Sequence, residues 1–95
     1  MNMEKACRLG NTEAIQKLVE DDKNCINEVD EKIGWTPLYR TVICSHVEAT
    51  KLLLKLGANP NIKNKLGETP LHKAADSGLA RIAKILLDSK ADPNL

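Results

Sequence analysis

Apolar side chains recur at helical spacing in two stretches of the chain, residues 47–56 and 80–88. Each stretch follows a shorter segment, 37–44 or 70–77, which a Thr-Pro pair introduces. A threonine hydroxyl can accept a hydrogen bond from a free N–H at the start of a helix, and proline fits the first helical position. The pattern therefore predicts two pairs of helices, each a short helix followed by a longer one.

The two predicted helix pairs are copies of one sequence unit, repeated at an offset of 33 residues. GWTPLYR at 34–40 matches GETPLHK at 67–73, and LLLKLGANPN at 52–61 falls on ILLDSKADPN at 85–94. Two motifs and the gap between them keep the same register, which chance explains poorly. We therefore expect a repeat protein in which each unit packs against its neighbours.

One copy of this unit matches a known family motif. Residues 67–78, GETPLHKAADSG, with the Leu-Leu helix that follows them, are similar to the ankyrin repeat. The resemblance covers nearly the whole chain. It implies an all-α fold, an ankyrin-type solenoid of antiparallel helix pairs with β-hairpin-like loops. It also implies a single domain, 1–95, with three repeats at about 1–33, 34–66 and 67–95.

The first repeat departs from the motif. GNTEAIQKLVE at 10–20 resembles the second helix of a repeat, and MNMEKACRL would form the first helix without the usual cap. Asn27 corresponds to Asn61 at a spacing of 34, so we expect a one-residue insertion in the loop DDKNCIN. Charged Lys17 stands where the other repeats have apolar residues. A terminal repeat needs a polar outer face, so repeat 1 is predicted to be an N-terminal cap.

The third repeat lacks that polar outer face. Its second helix, LARIAKILLD at 79–88, is apolar nearly all round, which is typical of a helix covered on both sides. We therefore expect residues 1–95 to be the N-terminal part of a longer array. The alternative is that the exposed apolar face of repeat 3 pairs with another chain, including a second copy of this one.

Repeat 2 carries three substitutions in the motif. Tyr39 replaces the usual histidine, Thr41-Val42 replace two alanines, and Ser45 replaces the helix-ending glycine. A left-handed conformation at Ser45 costs energy that glycine would not. In repeat 3, Lys90 replaces another such glycine. We predict more local strain in repeat 2 than in repeat 3, and a stabilising effect of Ser45→Gly.

The overall charge is close to neutral, at +1, which argues against a dedicated nucleic-acid binder. The charge is unevenly distributed, however. Residues 1–33 carry eight acids and five bases, a formal charge of −3, whereas residues 34–95 carry +4. The two halves are either solvated surfaces of opposite sign, or the basic half steers an acidic partner.

Cysteine usage and hydropathy indicate a cellular location. The three cysteines are odd in number and form no CxxC motif, and the longest apolar stretches are far below the roughly 20 residues of a membrane span. We expect an intracellular chain, cytoplasmic or nuclear, that does not bind membranes. Cys7 and Cys44 occupy small-residue positions, so we expect both thiols to be buried.

Catalytic chemistry is not expected. His46 and His72, the two histidines, both match structural positions of the family motif. For His72 the resemblance implies a ring that hydrogen-bonds neighbouring loops, and His46 resembles the histidine that follows the helix-ending glycine. Neither histidine has the spacing of a zinc ligand, and no phosphate-binding loop occurs. We therefore predict neither an enzyme nor a bound cofactor or metal.

The resemblance implies binding of another protein through the loop tips and the exposed side of the first helices. Carrying those positions over by the motif gives these candidate residues: Arg8, Leu9, Lys32, Ile33, Trp35, Ile43, Cys44, Lys65, Leu66, Glu68, Asp76 and Ser77. Trp35 has two interpretations. It is a binding hot spot beside Ile33, or it folds over Tyr39 and shields the start of a helix.

We expect a scaffold or adaptor with a protein partner. The sequence leaves two alternatives open: a regulatory subunit or inhibitor that covers the surface of an enzyme, and a self-assembling structural repeat protein.

Overall fold

The computed structural model describes residues 1–92, and in these residues six α-helices and one 3₁₀ helix follow one another without a β-strand. The elements are α1 (Met3–Leu9), α2 (Thr12–Asp21), the 3₁₀ helix (Lys23–Asn27), α3 (Pro37–Ile43), α4 (Val47–Lys55), α5 (Pro70–Asp76) and α6 (Ala80–Asp88). The all-α prediction is confirmed. The predicted matches at Pro93 and Asn94, and the end of repeat 3 at Leu95, lie outside the described residues.

The helices form two stacked layers. Within each repeat the two helices contact each other, as α1 with α2, α3 with α4 and α5 with α6. Between repeats, first helices contact first helices (α1, α3, α5) and second helices contact second helices (α2, α4, α6). Each repeat therefore buries its apolar faces only against its neighbours, as in a solenoid.

Side-chain caps start the short helices. The hydroxyls of Thr36 and Thr69 accept hydrogen bonds from the N–H groups of Tyr39 (3.1 Å) and His72 (3.3 Å), as predicted. The first helix lacks the usual threonine cap, as expected. Asn2 takes the threonine's role, because its Oδ1 accepts a hydrogen bond from the N–H of Lys5 over 2.9 Å.

The core consists of aliphatic side chains between the two layers. Its largest fully buried members are Ile15, Leu38, Leu53, Ile82 and Leu86. These side chains are shorter than phenylalanine, which the sequence lacks, and they allow the helices to pack closely.

The two ends of the stack differ. In repeat 1, Lys17 is exposed at the position where Leu52 and Ile85 are half-buried, in keeping with the predicted polar cap. In repeat 3, Ile82 and Leu86 are buried but Leu87 is 47% exposed. Within residues 1–92, α6 is therefore packed on the side of Ile82 and Leu86 and is exposed on the side of Leu87.

Two residues other than glycine have left-handed backbone conformations among residues 1–92. Ser45 has φ +58°, as the substitution of the helix-ending glycine predicts, and Lys90 has φ +69°. Each of repeats 2 and 3 thus contains one such residue. The expected excess of backbone strain in repeat 2 is not found by this measure.

The cysteines are free thiols, and their burial differs. Cys7 is fully buried, and burial raises the pKa of its thiol to about 12. Cys44 is only half-buried, so its expected burial is wrong: it follows the last residue of α3, where the helix layer ends. Within the described part of the chain, none of the helices has the length and hydropathy needed to cross a bilayer.

Candidate protein-binding surface

Two loops project between the repeats and are closed by backbone hydrogen bonds. In the first tip (residues 30–35), the N–H of Asp30 donates to the carbonyl oxygen of Trp35 over 3.0 Å. In the second tip (residues 64–68), the N–H of Asn64 donates to the carbonyl oxygen of Glu68 over 2.8 Å. The first tip is one residue longer than the second.

The two tips are fastened to each other by Lys65. Its ammonium group donates hydrogen bonds to the carbonyl oxygens of Glu31 and Lys32, the second over 3.1 Å. Gly34 allows this close approach, because a Cβ there would lie 2.7 Å from Lys65 Cγ and 3.0 Å from Lys65 N. Lys65, a predicted binding residue, therefore has a structural role in holding the tips side by side.

Each tip exposes one large apolar side chain. Ile33 is 41% exposed and Leu66 is 83% exposed, and the two occupy equivalent positions 33 residues apart. Neither contributes to the buried core. Because the tips are joined through Lys65, the structure presents these two side chains on neighbouring loops.

Trp35 lies over the start of α3. Its ring centroid is 5.4 Å from that of Tyr39, and the guanidinium carbon of Arg40 lies 4.9 Å from its ring. The side chain is half-buried by these contacts. The arrangement favours the shielding interpretation, while part of the ring still faces solvent.

Arg40 of α3 connects repeats 1 and 2. Its guanidinium lies 3.6 Å from a carboxylate oxygen of Glu4 in α1 and 3.6 Å from one of Asp30 in the first tip. Glu4 also pairs with Arg8 over 3.5 Å. The predicted binding residue Arg8 therefore belongs to a charge network, in which such partly exposed pairs each contribute little stability.

Glu68 also has structural contacts. Its Oε1 accepts hydrogen bonds from the hydroxyl of Tyr39 over 3.4 Å and from Nδ2 of Asn64 over 3.3 Å. Burial and the nearby negative charge of Glu68 raise the pKa of the Tyr39 hydroxyl to about 12. Tyr39 thereby links α3 to the second tip.

The remaining predicted residues lie at the far ends of the first helices. Arg8, Leu9, Asp76 and Ser77 are exposed, and Ile43 and Cys44 are half-buried. They follow one another across the stacked helices α1, α3 and α5. The tips precede α3 and α5, and a seven-residue helix is about 10 Å long, so the tips and the residues at the far helix ends form two separate strips.

The histidines have structural bonds, although one differs from the expectation. Nε2 of His46 donates to the carbonyl oxygen of Arg8 over 2.8 Å, which joins repeat 2 to repeat 1. Nδ1 of His72 accepts from the N–H of Thr69 over 3.1 Å. His72 thus bonds within its own repeat rather than to a neighbouring loop.

Asparagine side chains join successive repeats, a role that the repeat alignment did not assign. Asn27 Oδ1 accepts from the N–H of Asn59 over 2.9 Å, and Asn61 Oδ1 accepts from the N–H of Asp92 over 2.8 Å. The matching bonds confirm that Asn27 and Asn61 are equivalent. The sequence alignment also missed the extra residue of the first tip. The spacing contains the signal, because Gly34 follows Asn27 by seven positions and Gly67 follows Asn61 by six.

No group of three or more His, Cys, Asp or Glu side chains within residues 1–92 is arranged to hold a metal ion.

A sequence profile of the family described as "Ankyrin repeats (3 copies)" matches residues 3–95. The chain belongs to the ankyrin-repeat family. The predicted family and the number of its repeats are confirmed.

Known ankyrin-repeat structures share this fold. An ankyrin-repeat domain from Acinetobacter baumannii superposes with a TM-score of 0.85 at 35% identity, over 95% of this chain and 47% of that one. Among curated proteins, the chain is 36% identical over 63 residues to the human Notch-regulated ankyrin repeat-containing protein. That alignment spans 64% of this chain and 55% of the human protein.

Two other relatives are much longer than this ankyrin-repeat chain. It is 39% identical over 54 residues to BTB/POZ domain-containing protein 3 of Schizosaccharomyces pombe. That alignment covers 57% of this chain and 10% of the yeast protein. It is 37% identical over 59 residues to the human 2-5A-dependent ribonuclease. This second alignment covers 62% of this chain and 8% of the ribonuclease. Ankyrin repeats are generally protein–protein interaction modules, so the fold indicates that class of function.

Proposed function

We propose that this chain is a scaffold or adaptor module that binds a partner protein through its two tips and the exposed side of α1, α3 and α5. The observation that carries the proposal is the exposure of Ile33 and Leu66 at equivalent positions of adjacent tips. Exposed apolar side chains on neighbouring loops with polar surroundings are typical of binding sites.

The rigid support of the tips adds to the proposal. Lys65 fastens one tip to the other, and Glu68 bonds the second tip to Tyr39 of α3. Side chains held on a fixed frame lose less conformational freedom on binding. Lys32 adds an exposed positive charge next to Ile33, which suits a partner surface with an apolar centre and an acidic edge.

The proposal places the protein in the cytoplasm or the nucleus. All three cysteines are free, and reducing compartments keep thiols in that state.

A second candidate function is self-association through repeat 3, or the stacking of a further repeat on it. Leu87 is the observation that favours it, because this side chain of α6 is 47% exposed. Multi-angle light scattering over a dilution series tests self-association. A mass that stays at one protomer at every concentration excludes it.

The leading proposal is tested with the double variant Ile33→Ser, Leu66→Ser as bait in affinity capture from cells that express the protein. The matched control is Leu87→Ser, which removes a similarly exposed apolar side chain from α6. We expect a partner that the wild type and Leu87→Ser retain and the double variant loses. If every captured protein binds the double variant equally well, the tips are not the binding site.

A further inference from the structure

A cleft of about 570 Å³ opens at the start of repeat 1, between the first turn of α1, the end of α2 and the first tip. Its apolar wall is formed by Met1, Met3, Leu18, Val29 and Trp35. Met1 is 62% exposed and Val29 is 41% exposed, so this wall is open to solvent. A cleft of this size holds one or two large apolar side chains of a ligand.

The rim of the cleft is acidic. Five carboxylates line it, from Glu4, Asp21, Asp22, Glu28 and Asp30. The only basic side chain among its described lining residues is the guanidinium of Arg40.

That guanidinium already has partners within the fold. Arg40 pairs with Glu4 and with Asp30, each over 3.6 Å. Asp21, Asp22 and Glu28 form no ion pair within residues 1–92 and are exposed. Their charge is therefore left to attract a positively charged ligand, and residues 1–33 as a whole have a formal charge of −3.

The position of the cleft in the stack suits an extended chain segment. The second tip packs against one side of the first tip through Lys65. The cleft is lined by the first tip together with parts of α1, α2, the 3₁₀ helix and α3, and no residue of the second tip is among its lining residues. On the side of the first tip that faces the cleft, none of the described residues forms another loop. The first tip therefore has one neighbouring loop, whereas a tip inside a stack has one on each side.

We propose that this cleft binds a basic peptide segment of a partner protein, with one apolar anchor side chain flanked by lysine or arginine residues. The anchor packs on Val29, Met3 and the exposed part of the Trp35 ring. The flanking cations pair with Asp21, Asp22 and Glu28, and this charge complementarity selects a basic segment over an acidic one. The site is separate from the apolar pair Ile33 and Leu66, so it adds a second contact region to the proposed protein-binding role.

Trp35 provides a direct signal of binding, because it is the single tryptophan of the chain and forms one wall of the cleft. The probe is a short synthetic peptide with one leucine between two lysine pairs, titrated while Trp35 emission is recorded. Two control peptides replace the lysines with glutamates or the leucine with serine. We expect a saturable change in emission with the leucine–lysine peptide, weaker binding of the serine peptide and none of the acidic peptide.

Paired variants assign the binding to the cleft. In Asp21→Asn, Glu28→Gln we expect about threefold to tenfold weaker binding of the basic peptide at low salt, since each exposed charge pair contributes modestly. The control Glu13→Gln, Glu48→Gln removes the same charge from exposed positions outside the cleft. A third variant, Leu66→Ser, alters the second tip alone and should bind the peptide like the wild type. Circular dichroism verifies that all variants are folded.

Several results would overturn the proposal. The first is no saturable emission change with peptide concentrations up to about 1 mM, which reach even weak binding. The second is equal binding of the acidic peptide, or an equal loss in the control variant. The third is an emission change that depends on the concentration of the protein alone, because it would show that a second copy covers the cleft. None of these results bears on binding through Ile33 and Leu66.

Discussion

The hydroxyl of Tyr39 donates a hydrogen bond to Glu68 Oε1 over 3.4 Å, so the first helix of repeat 2 is bonded to the tip that precedes repeat 3. At the equivalent position of repeat 3, His72 instead bonds back to the N–H of Thr69, within its own helix cap. One position of the repeat thus serves two purposes. The larger tyrosine reaches across the repeat boundary, and the histidine closes its own helix start.

Removing the Tyr39 hydroxyl tests how much this hydrogen bond between repeats 2 and 3 contributes to stability. We expect Tyr39→Phe to lower the free energy of unfolding by about 0.5–1 kcal/mol, because it leaves the packing of the ring and removes one hydrogen bond. Urea unfolding at neutral pH measures the difference. Glu68→Gln is the control and should cost less, because its amide oxygen still accepts the bond. An unchanged stability in Tyr39→Phe would show that the bond contributes nothing.

Local rules account for what was predicted from the sequence. The helix bounds followed from the Thr-Pro starts and the apolar spacing, because caps and burial depend on residues a few positions apart. The left-handed conformation of Ser45 followed from the glycine that it replaces. The asparagine cap at Asn2 followed the same local chemistry, yet it was missed because the family motif places a threonine there.

Contacts between repeats were beyond these rules. Lys65 and Glu68 were predicted as binding residues from their place in the motif, but both bond to the preceding repeat, Lys65 to backbone carbonyls of the first tip and Glu68 to the hydroxyl of Tyr39. The ring of Trp35, by contrast, packs on Tyr39 and Arg40 within its own repeat, in line with one of the two interpretations that the sequence left open. The acidic cleft unites residues from three separate segments of the chain, and no motif connects them.

Ser45 is the clearest site for stabilisation. It has φ +58°, a conformation that costs a residue with a Cβ roughly 1–2 kcal/mol. Glycine adopts it freely but loses more chain entropy on folding, so we expect Ser45→Gly to stabilise the protein by about 0.5–1 kcal/mol. Thermal and urea unfolding measure the gain.

Two further substitutions verify this backbone explanation. Lys90→Gly should stabilise in the same direction, because Lys90 has φ +69°. Gly10→Ala should destabilise, because Gly10 has φ +66° and a Cβ there would lie 2.8 Å from His46 Cγ. A destabilised Ser45→Gly variant would contradict the explanation.

Asn27 bonds the loop of repeat 1 to the N–H of Asn59 in repeat 2. We expect Asn27→Ala to lower the free energy of unfolding by about 1 kcal/mol, because the N–H of Asn59 loses its acceptor. Urea unfolding measures the loss, and hydrogen exchange at the Asn59 amide should become faster. Asn24→Ala is the matched control, since the Asn24 side chain has no such bond to repeat 2. Equal effects of the two substitutions would contradict a specific role of Asn27.

The substitution Trp35→Ala distinguishes the two interpretations of this ring, which are shielding the start of α3 and binding a partner protein. The ring packs on Tyr39 and under Arg40, and such aromatic and cation–π contacts contribute about 1–3 kcal/mol together. We expect a loss of stability of that order in urea unfolding, largely restored in Trp35→Phe. Leu66→Ser, which changes an exposed side chain, should leave stability nearly unchanged. If Trp35→Ala retains full stability and loses only partner affinity, the ring serves recognition alone.

Alkaline pH should weaken the fold through Cys7 and Tyr39, which both ionise less readily in the folded chain. Burial raises the pKa of Cys7 from 9.0 to about 12, and burial beside Glu68 raises that of Tyr39 from 10.0 to about 12. Above pH 9 the unfolded chain releases the Cys7 proton while the folded chain retains it, so the free energy of unfolding falls as pH rises towards 12. We expect urea unfolding to show this decline, less steep from about pH 9 in Cys7→Ala and from about pH 10 in Tyr39→Phe. A decline that is equally steep in both variants and the wild type would show that neither group causes it.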